Sequence, residues 1–313
     1  MTAQITHGEL DGSPSVTLTI GDFSATIVPT VGMVVASLTH CGIEVLGQRG
    51  GLAAYRDHGS SFGVPLLYPW ANRLSGVTYN VGSVAVDLHP TAMPLRLDDH
   101  GLPIHGLLIA SPRWQVTGTS CTTHFAAITA AIEFGAYPDL MAGFPFPHRL
   151  ELTHELGAGG LRTTLVVIAE ENLPVPLAFG FHPYLAPGGD RSSWRIELPV
   201  RTHAVLDERG LPTGEIERAE EGWRELGTDA YDDLYLSLAA PAIFRVETAE
   251  RLIEVSFGDA YRCAQVYAPA DADFICFEPM TAPTNALITG DDLREVTPGS
   301  TFVASFEIRV SSR

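Results

Sequence analysis

An all-β fold is what this sequence predicts, and three observations carry the prediction. Apolar residues recur with period two rather than 3.6, glycine (30) and proline (22) punctuate the whole chain, and no stretch beyond about ten residues keeps a helical stripe. In residues 15–29, Val16, Leu18 and Ile20 alternate with polar neighbours and Phe23, Ala25 and Ile27 repeat the pattern, which describes two half-buried strands. A short helix is expected near Leu52–His58. Leu150, Leu152, His154 and Leu156 then share one face of a strand, and GAGGLR (157–162) reads as the hairpin turn that follows. A second short helix is expected around Glu217–Gly227. Residues 243–257 read as two strands around a turn near Thr248–Glu250, and the last strand puts Phe302, Ala304, Phe306, Ile308 and Val310 on one face. No internal repeat or low-complexity linker interrupts the chain, so one large antiparallel β domain over residues 1–313 is the simplest architecture, a sandwich or a barrel.

Composition excludes several classes of function. The 37 acidic residues outweigh 19 basic ones for a net charge of −18, which repels phosphate backbones and anionic lipid; neither nucleic acid nor membrane is an expected partner. All 19 basic residues are arginine. Without lysine the chain cannot form a Schiff base, hold pyridoxal phosphate through an aldimine, or build the lysine-containing phosphate loop. The 11 histidines include no H-x-x-x-H or H-x-H spacing, so no metal is expected, and the G-x-S-x-G of a serine hydrolase is absent. The four cysteines, at 41, 121, 263 and 276, form no C-x-x-C pair and are expected to be reduced and buried. The opening residues have no basic-then-apolar leader pattern, and no apolar run reaches the roughly 18 residues of a membrane span. The expectation is a cytoplasmic protein, monomeric or homodimeric.

Four segments set polar residues among apolar ones: 62–74 ends in Asn72-Arg73, 98–108 holds His105, 177–189 holds His182 before Pro183, and 274–287 holds Glu278 before Pro279. A carboxyl at the end of an apolar strand is desolvated, which raises its pKa and suits it to general-base work near neutral pH. Each residue also has an ordinary reading. A histidine in an apolar run serves as a hydrogen-bonded core residue, and a strand-end glutamate as an arginine's partner. Spacing alone goes no further than a β-rich protein with the polar groups of a sugar binder.

Taken together and in order, the segments resemble the aldose 1-epimerase (galactose mutarotase) family. Ala71-Asn72-Arg73-Leu74 with Gly76 and Tyr79 is similar to its A-N-R-I segment, Ile104-His105-Gly106 to its L-H-G, and His182-Pro183-Tyr184 to its H-P-Y. Asp232-Asp233-Leu234-Tyr235, Gln265-Val266-Tyr267 and Phe277-Glu278-Pro279 continue the match, which spans about residues 60 to 300. Tyr68-Pro69-Trp70 and Leu107 stand where closer members have a Gly-Arg pair and a second glycine, so the chain looks like a divergent bacterial branch.

The resemblance implies a large antiparallel β-sandwich of the galactose mutarotase-like type with few short helices. It also implies an isomerase that needs no cofactor and interconverts α and β anomers by acid–base ring opening. Glu278 would be the base on the C1 hydroxyl, His182 the acid toward the ring oxygen, and His105 a hydrogen-bond donor as charge develops. Arg73, Asn72, Asp232 and Gln265 would hold sugar hydroxyls, with Asp233 one step from Asp232. Activity would then fall as Glu278 protonates and as His182 deprotonates. A neutral aldose is the expected substrate, although Arg49, Arg56 and Arg96 lie near these segments and leave a hexose 6-phosphate open. A non-catalytic sugar-binding protein on the same fold is the main rival. A glycosidase using Asp232 and Glu278 as paired carboxylates is another.

Overall fold

Period-two strands bury one face each, and here they do so against one another. The computed structural model describes residues 2–60, 62–170 and 172–313. Nine antiparallel strands make the larger sheet, running from Gly222–Glu225 at one edge through Arg195–Leu198, Ala242–Glu247, Arg251–Phe257, Thr301–Ser312, Gly160–Ala169, His148–Gly157 and Phe125–Glu133 to Gln115–Cys121 at the other. The second sheet runs Pro212–Arg218, Val200–Leu206, Tyr231–Leu238, Cys263–Ala268, Ile275–Met280, Gly180–Phe181, Leu66–Leu67, with Tyr184–Leu185 also paired to Ile275–Met280. A five-stranded meander of residues 4–44 packs its Val16, Leu18 and Ile27 into the same apolar cluster.

The two large sheets meet face to face. Phe306 of one lies against Phe181 of the other with ring centroids 5.0 Å apart, and Phe244 lies against Phe277 at 5.4 Å. Leu150, Leu152, Leu165, Val167, Val255 and Ile308 from the first sheet join Ala264, Val266, Ile275 and Phe277 from the second in one continuous core. The expected alternation holds in detail: every second residue from His148 to Leu156 is buried, His154 among them, with its imidazole contacting Thr163 Oγ1 (3.0 Å) and the Met33 carbonyl (2.9 Å). The expected hairpin at 158–159 and the turn at 248–250 both join paired strands.

Alternation has a second consequence, which positions the site. In Ile275–Met280, Ile275 and Phe277 enter the core while Cys276, Glu278 and Met280 face the other way. That second face is buried too, because residues 67–71 and their neighbours cover it through Leu67 and Ala71.

Two expectations are corrected. The helix near residue 52 exists as Gly51–His58, but no helix forms around 217–227. Pro212–Arg218 and Gly222–Glu225 are strands there, each at the edge of a different sheet. The charged run has good helix propensity, yet Gly222 at φ +110° breaks it and edge pairing with Val200–Leu206 and Arg195–Leu198 supplies the backbone partners. The cysteines are all free, but only Cys263 and Cys276 are buried. Cys41 sits in a turn at φ +53° and Cys121 ends an exposed edge strand. Among the described residues no helix is long and apolar enough to cross a membrane.

The packing predicts a sharp contrast between two substitutions on facing strands. Leu165→Ala, fully buried, should cost about 2–5 kcal/mol in urea unfolding. Val303→Ala, 55% exposed one pair away, should stay within about 0.5 kcal/mol. Equal effects would contradict the assignment of the two faces.

Candidate active site

Register brings distant residues together. Gln265 pairs directly with Glu278 across two central strands, and Leu234 pairs with Gln265 on the next strand. Asp232 pairs with Tyr267, so Asp232, Gln265 and Glu278 project from one sheet face along a diagonal. Gln265 Nε2 donates to Asp232 Oδ1 at 2.6 Å. Asp233, one residue on, faces away and pairs with His203 at 3.0 Å.

His182 arrives from the other side of the same strand. Gly180 pairs with Met280 and Tyr184 with Cys276, which leaves His182 opposite Glu278 between them. Its backbone N–H donates to the Pro65 carbonyl (3.0 Å). Nε2 of His182 lies 3.2 Å from Glu278 Oε1, and both side chains are buried, at 7% and 2% exposure. Tyr184 stacks on the imidazole, centroids 4.3 Å apart at 12°, while His105 and Tyr267 approach it edge-on at 5.6 Å and 6.0 Å.

The remaining wall is made by two loops locked back to back. The Tyr68 carbonyl accepts from the Leu107 and Leu108 amides (2.6 and 3.2 Å), and the Asn72 carbonyl accepts from the His105 amide (2.9 Å). This close approach demands unusual backbone. Asn72 and His105 stand at φ +52° and +61°, and a Cβ on Gly106 (φ +72°) would lie 2.2 Å from the Tyr68 oxygen. Asn285, also left-handed at φ +74°, ties the first loop to the end of the Glu278 segment: its N–H donates to the Arg73 carbonyl (3.0 Å) and its Oδ1 accepts from the Ser75 amide (2.8 Å).

All seven residues singled out from sequence, Glu278, His182, His105, Arg73, Asn72, Asp232 and Gln265, line one cavity of about 220 Å³, together with Ile104, Tyr184 and Tyr267. That volume falls below the roughly 300–1,000 Å³ of a drug-sized site and suits a single small polar ring. His105 Nδ1, His182 Nδ1 and Gln265 Oε1 are buried without a protein partner among the described residues. A larger hollow of about 770 Å³ beside Arg201 and Arg218 contains no histidine and none of these groups. Among the described residues no three His, Cys, Asp or Glu side chains gather as a metal-ligand set. Sequence reasoning missed Asn285, whose signal was only its nearness to Glu278, and gave no role to Asp98, which holds Arg73 through Nε at 2.7 Å.

Burial dominates the electrostatics. It pushes the Glu278 carboxyl well above the usual carboxylate range, and the nearby Asp232 charge adds to the rise against a smaller opposing pull from Arg73. Burial, then the neighbouring His105, holds His182 well below the usual imidazole range. His105 is pushed down to about 3 by burial, then by Arg73 and Arg96. Both histidines are therefore neutral at pH 7, and burial favours the uncharged form of Glu278 as well.

A family model described as aldose 1-epimerase matches residues 14–309. No curated protein matches the chain in sequence. Among solved structures, a galactose mutarotase-like protein from Clostridium acetobutylicum superposes with a TM-score of 0.85 at 18% identity, covering 100% of this chain and 99% of that one. A protein from Synechocystis gives 0.74 at 24% identity (99% and 96% covered), and the galactose 1-epimerase of Lactobacillus acidophilus gives 0.78 at 15% (99% and 98%). At these identities the superpositions speak for the fold alone, and they make it galactose mutarotase-like. With its family model matched over nearly the whole length, the chain belongs to the aldose 1-epimerase family.

Proposed function

We propose that the protein is an aldose 1-epimerase acting on a free sugar, with Glu278 and His182 as its proton-transfer pair and the whole chain working as one cytoplasmic domain without a cofactor. The observation that carries this reading is the buried 3.2 Å contact between the two groups in the wall of a polar, ring-sized cavity. A sugar-binding protein needs donors and acceptors, but it gains nothing from burying an acid against a base.

Ring opening takes a proton from the C1 hydroxyl and gives one to the ring oxygen. Glu278 as carboxylate accepts the first and His182 as imidazolium supplies the second, the C1–O bond breaks, and the aldehyde forms. Rotation about C1–C2 followed by the reverse transfers closes the ring on the other face. Each positioned transfer contributes typically about 10²–10⁴ in rate. At the open-chain stage Glu278 is protonated and His182 neutral, which is also the state that burial favours in the resting site. The pair holds one proton throughout, so binding a cyclic sugar needs only an internal shift from carboxyl to imidazole.

Asn72, Arg73, Asp232 and Gln265 supply the donors and acceptors for the sugar hydroxyls, and Tyr184 and Tyr267 offer apolar ring faces. His105, neutral at pH 7, donates from one nitrogen toward the ring oxygen or a neighbouring hydroxyl. The nearby arginines favour an uncharged substrate. Arg49 lies over the Phe274 ring, Arg56 pairs with Asp57, and Arg96 packs its guanidinium under Gly59 at the helix end. None of the three lines the cavity.

Glu278→Gln should fold normally and lower kcat for anomer exchange, followed by polarimetry of freshly dissolved aldoses, by at least about a hundredfold. Retention of half the wild-type kcat would remove Glu278 from the chemistry. His182→Asn should keep sugar affinity while losing turnover; lost affinity with intact kcat would make His182 a binding group only.

The pH profile follows from the pair's single proton. As pH falls through the lowered His182 pKa the pair gains a second proton, and as pH rises through the raised Glu278 pKa it loses its only one; activity is lost on both sides. Because burial moves His182 below its ordinary value, kcat/KM should show no histidine limb centred on about pH 6.5, the ordinary value. A break centred there would contradict a neutral His182.

A further inference from the structure

Among the described residues Arg73 is the one cation in the cavity wall, and its guanidinium does not hang free. Nε donates to Asp98 Oδ2 at 2.7 Å, Nη1 donates to Asn72 Oδ1 at 3.0 Å, and the Gly210 turn packs so close that a Cβ there would lie 2.9 Å from Nη1. Two of the three nitrogens are committed, and Nη2 remains for a ligand. Asp98 divides its two oxygens between two tasks. Oδ2 holds the guanidinium, while Oδ1 accepts the backbone amides of His100 and Leu102, both at 2.9 Å, in a side-chain-capped turn.

That turn belongs to the active-site loops. The Asp98 amide donates to the Leu102 carbonyl, Leu97 bridges Pro103, and Arg73 bridges Ile104, the residue before His105. Asp98 is thus the joint between the loop that carries Arg73 and the loop that carries His105. Its side chain is 7% exposed against 21% for Arg73, and of the two only Arg73 lines the cavity. Burial works against the charge on Asp98, but the Leu102 amide and Arg73 more than reverse it and hold the carboxyl below its usual range.

We propose that Asp98 is a positioning residue for substrate binding: it clamps the Arg73 guanidinium so that its free edge meets a sugar hydroxyl, without touching the sugar itself. The inference rests on the reading of the cavity as a sugar site. A clamp of this kind acts by preorganisation, since an ion-paired arginine fork loses less freedom on binding than a loose one. It should affect affinity and leave the proton transfers alone.

Asparagine separates the clamp from the turn. Asp98→Asn keeps an Oδ1 for the two amides but removes the charge from Arg73, whereas Asp98→Ala removes both. The readouts are the Kd of the best-bound free aldose by calorimetry, kcat and KM for its anomer exchange, and the melting temperature. Asp98→Asn should melt close to wild type, raise Kd and KM about tenfold, and leave kcat within about threefold. Asp98→Ala should weaken binding at least as much and also lower the melting temperature. The double variant with Arg73→Ala should bind within about twofold of Arg73→Ala alone, because the guanidinium that Asp98 holds is already gone. The proposal is overturned if Asp98→Asn shifts Kd and KM less than twofold, if it lowers kcat with KM unchanged, or if the two substitutions combine multiplicatively. A wild type that binds aldoses without exchanging their anomers would end the catalytic reading, while the Kd series still decides the role of Asp98. A wild type that binds no aldose overturns both.

Discussion

A carboxyl and an imidazole buried 3.2 Å apart must share their protons, and the site is built around that constraint. Ionising both requires charge separation in a poorly solvated place, while leaving both neutral puts the proton on Glu278. Asp232 strengthens that preference and Arg73 opposes it. The proposed ring opening alternates between the same two states, ion pair for the closed ring and neutral pair for the open chain. The balance between burial and nearby charge therefore does more than tune one group. It sets how far apart in energy the two stages of the reaction lie.

The scaffold serves this balance through register. Glu278, Gln265 and Asp232 reach the cavity because three neighbouring strands alternate in phase, and His182 faces Glu278 because a broken strand pairs at Gly180 and again at Tyr184. A slip of one residue in any of these strands would turn its polar group into the core. The loops contribute differently. Asn72 and His105 occupy left-handed backbone, held by amide-to-carbonyl bonds between two loops with no regular strand to support them. Such conformations persist only where the surroundings over-determine them.

Much of this was legible in the sequence, for reasons that differ by element. Strands such as His148–Gly157 and Thr301–Ser312 announce themselves because one face is buried along their whole length. The candidate site residues were singled out by the order of short segments that resemble the family's, and the apolar run before Glu278 marked its carboxyl as desolvated. Residues 217–227 misled because propensity is local, whereas edge pairing to two different sheets is not. Cys41 and Cys121 misled for a related reason: residue type does not show that one lies in a turn and the other on an exposed edge. Asp98 and Asn285 were not singled out because their tasks, gripping Arg73 and bridging to Ser75, depend on contacts 25 and 210 residues away. The size of the burial effect on Glu278 was also hidden, since it follows from depth in the fold and from Asp232 standing near it.

The central claim is that this pair opens and recloses a sugar ring by moving oxygen-bound protons only. Exchange NMR of a freshly dissolved aldose in deuterated water, with and without the protein, tests it most directly. The account predicts protein-dependent exchange between the α and β anomeric protons, with full retention of hydrogen at C1 and C2. Exchange accompanied by deuterium at either carbon, or no acceleration for any aldose tried, would contradict it.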